Sequence, residues 1–288
     1  VVVAEPTDDF GIAIGIGVNP WYGILDAERM ALCAVDEALR NVVAVGADPD
    51  KTALLDNFSW GNPQRASTLG ELVAAVDGCC QGALAFNAPF VSGKDSLNNE
   101  YMGTDGNRHS VPPTLVITAV AHVPNANRTV TADLKGAGNT IILVGRTLPE
   151  FGGSHAAMVC NAQSTCVPSF DEQSPTHYRA VHALMLQQKI RSCHDCSEGG
   201  LGVTVAEMAM AGRLGVALLP TDDAHTHLFS ESLGRLVLEV EAAHVSDVLE
   251  VLPGAQIIGS VTTAPFLVLP DNSALSIEAM LNVWQAPQ

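Results

Sequence analysis

Positive charge is what this sequence has least of. Its 288 residues include 14 Lys or Arg against 31 Asp or Glu, a formal net charge of −17 at pH 7. That balance speaks against a nucleic-acid backbone as partner. A phosphorylated ligand stays compatible with it if Mg²⁺ lies between phosphate and carboxylate, since that ion takes oxygens from both. The seven cysteines are odd in number and follow no disulfide framework, which fits a reducing cytosol and hence a cytoplasmic location. No apolar run reaches membrane-spanning length, so no membrane partner is expected. Val1 opens inside an apolar run with neither Met nor a basic segment ahead of it. That is no signal peptide, and it reads as a cut through a larger protein.

What is present is a globular chain, 47% hydrophobic with mean hydropathy +0.22, long enough for one large or two medium domains with a substantial core. Strands are expected at 1–3 and 10–17, around the turn residues Pro6 to Asp9, with Gly11, Gly15 and Gly17 serving close strand packing. Asp26 caps a helix that runs to about Val45 and ends at Gly46. A strand at 52–55 ends at Asp56, a helix covers 66–86, and a polar loop at 98–113 precedes a strong strand at 114–123. The polar stretch from Pro124 divides the chain into units 1–126 and 127–288. In the second unit strands are expected near 140–144, 216–219, 235–240, 256–261 and 266–269. Helices are expected near 175–189, 201–211, 244–251 and 273–284. The pattern is α/β (α+β) in two subdomains, each a mixed sheet with helices packed on it.

Chemistry concentrates in a few places. Pro89-Phe90-Val91 leads into Ser92-Gly93-Lys94-Asp95-Ser96, read as a compact turn whose N–H groups can nest an anion. A P-loop is excluded, because its first Gly would fall at Ala88 and Asp95 stands where Ser or Thr is required. Glu37 and Asn41 are four apart on one helix face, within reach of one hard cation. Cys193-His194-Asp195-Cys196-Ser197-Glu198-Gly199-Gly200 opens a helix, where amides make a ready anion site. Cys193 and Cys196 have C-x-x-C spacing but no second pair for zinc. Gly78-Cys79-Cys80-Gln81-Gly82 has a nucleophile-elbow pattern inside an expected helix, so chance explains it.

Four stretches in order resemble the phosphoribosylformylglycinamidine synthase family, which is built on the aminoimidazole-ribonucleotide-synthetase-like fold. They are Glu37-Ala38-Leu39-Arg40-Asn41 with Val45-Gly46-Ala47; Leu54 to Pro63; Val91 to Leu97; and His194 to Leu201 with Ala206-Glu207-Met208. The Phe58-Ser59-Trp60-Gly61-Asn62-Pro63 stretch and the terminal 282–287 look like the second half of the family's duplicated synthetase region. The resemblance implies part of an ATP-dependent ligase that makes formylglycinamidine ribonucleotide from formylglycinamide ribonucleotide and glutamine-derived ammonia in purine biosynthesis. It implies ATP or ADP and Mg²⁺ as cofactors. The implied partners are the ribonucleotide substrate, the first half of the synthetase and a glutaminase domain or subunit. By resemblance Asp56, Gly93, Lys94 and Ser197 contact nucleotide, Ser96 contacts substrate, and Glu37, Asn41 and Asp195 ligate metal. Lys94 departs from the Asn of the family's small form and suits a phosphate instead. The first half's catalytic His and the glutaminase Cys have no counterpart, so this chain alone is expected to be inactive and to form a homodimer. The alternatives are a non-catalytic nucleotide-binding scaffold half, or a same-fold enzyme such as a selenophosphate synthetase or a thiamine-phosphate kinase. The first of these enzymes carries a reactive Cys or selenocysteine near its Gly-rich start, which this chain lacks.

Overall fold

A computed structural model describes residues 1–3, 5 and 9–286. The turn expected at Pro6 to Asp8 and the terminal Pro287 lie outside the described residues. The first unit holds strands β1 (Val2–Val3), β2 (Gly11–Val18), β3 (Thr52–Ser59), β4 (Phe90–Ser96), β5 (Glu100–Met102), β6 (Arg108–Ser110) and β7 (Thr114–Val123). Its helices are α1 (Pro20–Gly23), α2 (Ala27–Ala44) and α3 (Ala66–Phe86). Five of these strands form one sheet in the order β1-β2-β7-β3-β4, in which only β3 and β4 are parallel. β5 and β6 pair as a separate hairpin inside the expected polar loop.

The second unit holds β8 (Thr140–Val144), β9 (Ser192–Asp195), β10 (Gly215–Leu218), β11 (Leu236–Val240), β12 (Gln256–Thr262), β13 (Phe266–Val268) and β14 (Ala274–Ser276). Its helices are α4 (His155–Val159), α5 (Ser174–Leu186), α6 (Gly200–Gly212), α7 (Ala224–Phe229), α8 (Val245–Val251) and α9 (Ile277–Trp284). The seven strands form one mixed sheet, β14-β13-β10-β12-β8-β11-β9. The helix expected at 273–284 is thus a short edge strand followed by a helix, with Ser276 capping Ala279 N.

Helix α2 is the centre of the molecule. Asp26 caps it by accepting from Arg29 N at 3.0 Å. Its apolar residues fall on every side, and Met30, Ala34, Val35, Ala38, Leu39, Val42 and Val43 are all buried. One side faces the first sheet, where β2 alternates small buried residues (Gly11, Ala13, Gly15, Gly17) with exposed isoleucines. The other side joins a continuous core with α5 and with Ile142, Leu236, Leu238 and Cys193 of the second sheet. The opposite face of that second sheet has its own core against α6 and α9.

Three expectations change here. β3 continues to Ser59, which puts Asp56 inside the strand and not at its end. Residues 92–96 are the body of β4, paired in parallel with β3, so no turn and no amide nest exist there. The reason is that polar side chains on an edge strand leave pairing intact when one face is open to water. Third, α3 is long and apolar enough by length and composition to cross a membrane, although no such run was expected. Here its Ala75, Gly78, Cys79, Gly82 and Phe86 side is buried, and a Cβ on Gly78 would stand 2.2 Å from Glu28 O of α2.

Strand β2 approaches α2 closely: a Cβ on Gly17 would lie 2.0 Å from Ala34 O. Gly17→Ala is therefore expected to destabilise the protein by about 3 kcal/mol, the upper end for overpacking. Urea unfolding checks this; an unchanged midpoint would show that β2 does not press on α2.

Candidate functional site

The buried side of α2 carries one ion pair. Asp36 and Arg40 are one turn apart, with Arg40 Nη1 2.7 Å from Asp36 Oδ2. Arg40 is 2% exposed. Asp36 also accepts from Tyr178 Oη of α5 at 2.7 Å and from Gly234 N at 3.2 Å. Burial raises the Asp36 carboxyl above its ordinary value, against the pull of Arg40, Tyr178 and Gly234. Arg40 Nη2 donates to Ser197 Oγ at 3.1 Å, which links α2 to the loop after β9.

Close to that guanidinium stand Glu37, Asp195 and Ser197, and Asn41 follows Glu37 by one turn of α2. Glu37, 7% exposed, uses Oε2 to accept from Val18 N (3.0 Å) and Asn19 Nδ2 (2.7 Å). Its Oε1 takes no hydrogen bond from the described residues. Burial, opposed by Arg40 and assisted by Glu198, pushes the Glu37 carboxyl up to about 7. Asn41 donates Nδ2 to Ile16 O at 2.9 Å, which leaves its Oδ1 as the free acceptor. Asp195 accepts from His194 Nδ1 at 3.1 Å and from the Ser197 hydroxyl. Burial alone would raise Asp195, but these bonds and the charges of Arg40 and His194 hold it near 2. His194 is lowered by burial, yet its bonds to Asp195 and to Glu207 Oε2 (3.0 Å) lift it to about 9. Arg40 thus lies between Glu37 on its own helix and Ser197 with Asp195 on the other unit.

Does this donor set fit Mg²⁺? Among the described residues no three His, Cys, Asp or Glu side chains gather as a metal cluster. Mg²⁺ needs fewer protein ligands than that, because it keeps waters and takes phosphate oxygens. Free carboxylate and amide oxygens on one helix face, held by second hydrogen bonds, are the hard donors it prefers. The helix start that follows is less free than its sequence promised. Glu231 accepts from Gly199 N at 2.8 Å and from Tyr22 Oη at 2.5 Å, so a carboxylate of the chain already takes the turn's first amide.

A second group forms on the open edge of the first sheet. Register sets Asp56 opposite Gly93, Asn57 opposite Lys94 and Ser59 opposite Ser96. A Cβ on Gly93 would sit 2.6 Å from both Asp56 carboxylate oxygens, so glycine is what admits that carboxylate to the backbone. Burial and then the neighbouring Asp95 raise the Asp56 carboxyl, while Lys94 N donates to it. Ser96 Oγ accepts from Asn99 Nδ2 at 3.0 Å. This edge shares no hydrogen bond or ion pair with the Arg40 group among the described residues.

Sequence reading missed Arg40, Asp36, Asn19 and Glu231. The first two carried no decisive signal: an Asp–Arg pair at i,i+4 within the polar stripe 36, 37, 40 and 41 also suits a solvent-facing helix side. Asn19 and Glu231 carried none, since their partners are distant in sequence.

Two family models match successive stretches of the chain. Residues 2–123 match the model of the AIR synthase related protein, N-terminal domain, and residues 136–270 that of the C-terminal domain. Phosphoribosylformylglycinamidine synthase subunit PurL of Chelativorans sp. is 32% identical over 297 residues, covering 97% of this chain and 38% of its own length. The Methanococcus aeolicus subunit PurL is 33% identical over 288 residues, covering 95% and 38%. This chain therefore spans about two fifths of the length of those relatives. Among solved structures, T. maritima PurL complexed with FGAR superposes with a TM-score of 0.79 at 16% identity, over 95% of this chain and 46% of that one. The same protein complexed with ATP gives 0.72 at 17% identity, over 95% and 45%. Hydrogenase maturation protein HypE in complex with ATP gives 0.63 at 16%, over 96% and 87%. At these identities the structural likeness speaks for the fold.

The Asp36–Arg40 pair generates a test. Asp36→Ala leaves a buried guanidinium without its carboxylate and is expected to cost about 3–5 kcal/mol. Arg179→Ala, which breaks an exposed pair with Asp50 at 2.7 Å, is expected to cost under about 1 kcal/mol. Denaturant titrations of the two variants compare them directly, and equal losses would remove Asp36–Arg40 from its central place.

Proposed function

Because this chain belongs to the AIR synthase related family, we propose that it is the second half of the synthetase region of a phosphoribosylformylglycinamidine synthase. In this reading the whole cytoplasmic enzyme transfers the γ-phosphoryl group of ATP to the amide oxygen of formylglycinamide ribonucleotide. Ammonia from glutamine then attacks that carbon, phosphate leaves, and the products are the amidine, ADP and phosphate. Catalysis of such a transfer rests on positioning and on charge stabilisation. The similarity to subunits named PurL and the nucleotide complexes of T. maritima PurL support this reading.

The observation that carries it is the approach of Glu37, Asp195 and Ser197 to Arg40 between α2 and the second unit, with Asn41 one turn beyond Glu37. Bound Mg²⁺ would supply a bridge from these oxygens to nucleotide phosphates. Within the proposal Glu37 Oε1, Asn41 Oδ1 and Asp195 hold the ion, and Ser197 contacts the nucleotide. Arg40 and His194 orient Ser197 and Asp195. Asp56, Gly93 and Lys94 on the sheet edge form a second nucleotide contact, with Ser96 toward the ribonucleotide. That the two groups do not meet favours a nucleotide role at the Arg40 joint that is auxiliary to the chemistry.

Calorimetry with ADP tests the assignment. Glu37→Ala and Asp195→Ala are expected to weaken ADP binding only when Mg²⁺ is present, and Lys94→Ala to leave that binding nearly intact. The same chain, given ATP, Mg²⁺, formylglycinamide ribonucleotide and ammonium, is expected to form no amidine. Mg²⁺-independent binding, or loss through Lys94 but not Glu37, would overturn the metal site.

The open face of the first sheet supports a second element of the proposal. Ile12, Ile14 and Ile16 point away from α2, and Ile14 is 64% exposed. An apolar stripe of this kind on a paired strand marks an interface. In the whole enzyme the occupant is the first half's sheet, and in isolation it is a second copy of this chain. Sedimentation is expected to show a dimer for the wild type and a monomer for Ile14→Glu; a wild-type monomer at high micromolar concentration rules the interface out.

A further inference from the structure

Arg235, at the entry to β11, has no exposed surface. None of the ion pairs made by arginines among the described residues includes it. Its guanidinium bonds only to neutral oxygens: Nε to Ser232 O at 3.0 Å, Nη2 to Ser230 O at 2.5 Å, and Nη1 to Thr147 Oγ1 at 3.1 Å. A buried charge without a counter-charge is expensive, so where this one is directed matters. Its stem runs behind the sheet end, with Cγ 3.0 Å from where a Cβ on Gly145 would stand. Gly145 and Thr147 are one wall of an open polar cavity of about 360 Å³, lined on its other sides by Thr221, Thr226, His227 and Gln256. That volume is within the range of small-ligand sites.

The donors in that cavity are arranged for an anion. Thr147 Oγ1 accepts from Arg235, so its own hydrogen is left to donate, and the hydroxyl has no other partner among the described residues. The His227 ring nitrogens likewise take no hydrogen bond there. Burial and then the charge of Arg235 hold His227 below its usual value, which places a neutral imidazole beside the guanidinium. One carboxylate also lines the cavity. Asp223 spends Oδ1 on Thr226 N at 3.0 Å and stands at the exposed rim. Water and salt screen a rim charge, whereas the charge of Arg235 is buried and unscreened.

We propose that the cavity between Gly145–Thr147 and the 221–227 segment binds a small tetrahedral oxyanion, a phosphate group, through Thr147 and His227 backed by Arg235. This site is distinct from both groups assigned above, and its test does not depend on them. Backbone amide NMR is followed while inorganic phosphate is added at constant ionic strength. Saturable shifts are expected at Gly145, Thr147 and Thr221 to His227. Thr147→Val is expected to weaken binding about tenfold, the loss of one charge-assisted hydrogen bond, and Thr147→Ser to retain it. Asp223→Asn keeps the helix cap and is expected to tighten binding two- to fivefold, roughly the worth of one exposed charge. Glucose 6-phosphate in parallel separates the sources: tighter binding than inorganic phosphate assigns the site to a phosphate ester, and weaker binding to the free ion. Shifts that never saturate, or equal affinities for wild type and Thr147→Val, would refute the site and leave Arg235 as a clamp on the 230–232 loop.

Discussion

A single buried ion pair, Asp36 with Arg40, is the constraint around which the two units are arranged. Helix α2 is apolar on nearly every side because it has a sheet on one side and a second core on the other. A helix in that position cannot end its polar contacts in water. Its buried pair, Asp36 and Arg40, must therefore be satisfied by the elements that enclose it. Tyr178 from α5, Gly234 from the approach to β11 and Ser197 from the loop after β9 each supply one bond to it. All three come from the second unit. The pair is weak evidence for stability in itself, since burying charge offsets much of the attraction. What it specifies is orientation: only one docking of the second sheet on α2 satisfies every bond.

The acidic balance also takes a different meaning once the carboxylates are located. Several are internal acceptors that gather backbone donors at loop ends. Glu239 accepts from Lys135 N, Gly136 N, Asn139 Nδ2 and Ser192 Oγ. Glu150 accepts from Ser169 N and from Ser232 Oγ. With Glu231 these tie the segments between strands to the second sheet, where water has no access and an amide needs a partner. Part of the net charge is thus hydrogen-bonding structure, and less of it faces a partner than the count implies.

Much of this was legible in the sequence. Asp26 as a cap, the helix from there to Val45, the glycines of β2 and the strand at 114–123 follow from local chemistry, and local chemistry decides them. The resemblance also brought Glu37, Asn41, Asp195 and Ser197 to notice; Glu37, Asp195 and Ser197 lie close to Arg40, while Asn41 bonds to Ile16 O of β2. The β4 segment was not legible, because Ser-Gly-Lys-Asp-Ser has turn composition. Pairing with β3 overrides that preference, and no local signal reveals the pairing. Arg40 was seen only as a letter in a motif, since its significance depends on Ser197, far along the chain. Arg235 has the same character: its burial and its lack of a carboxylate are properties of the packed sheet.

Strand β2 has a property that concerns how the chain avoids error. Its two faces could hardly differ more: glycine and alanine toward α2, isoleucine away from it. Pairing out of step by one residue would turn Ile12, Ile14 and Ile16 toward a helix whose backbone already stands within 2.0 Å of where even a methyl group on Gly17 would be. A one-residue slip reverses every side chain of a strand, and here no relaxation could absorb the result. Misregistered forms of this sheet are therefore excluded by collision and not merely disfavoured by lost burial. The same bare inner face that makes β2 intolerant of substitution acts as a proofreading step in folding.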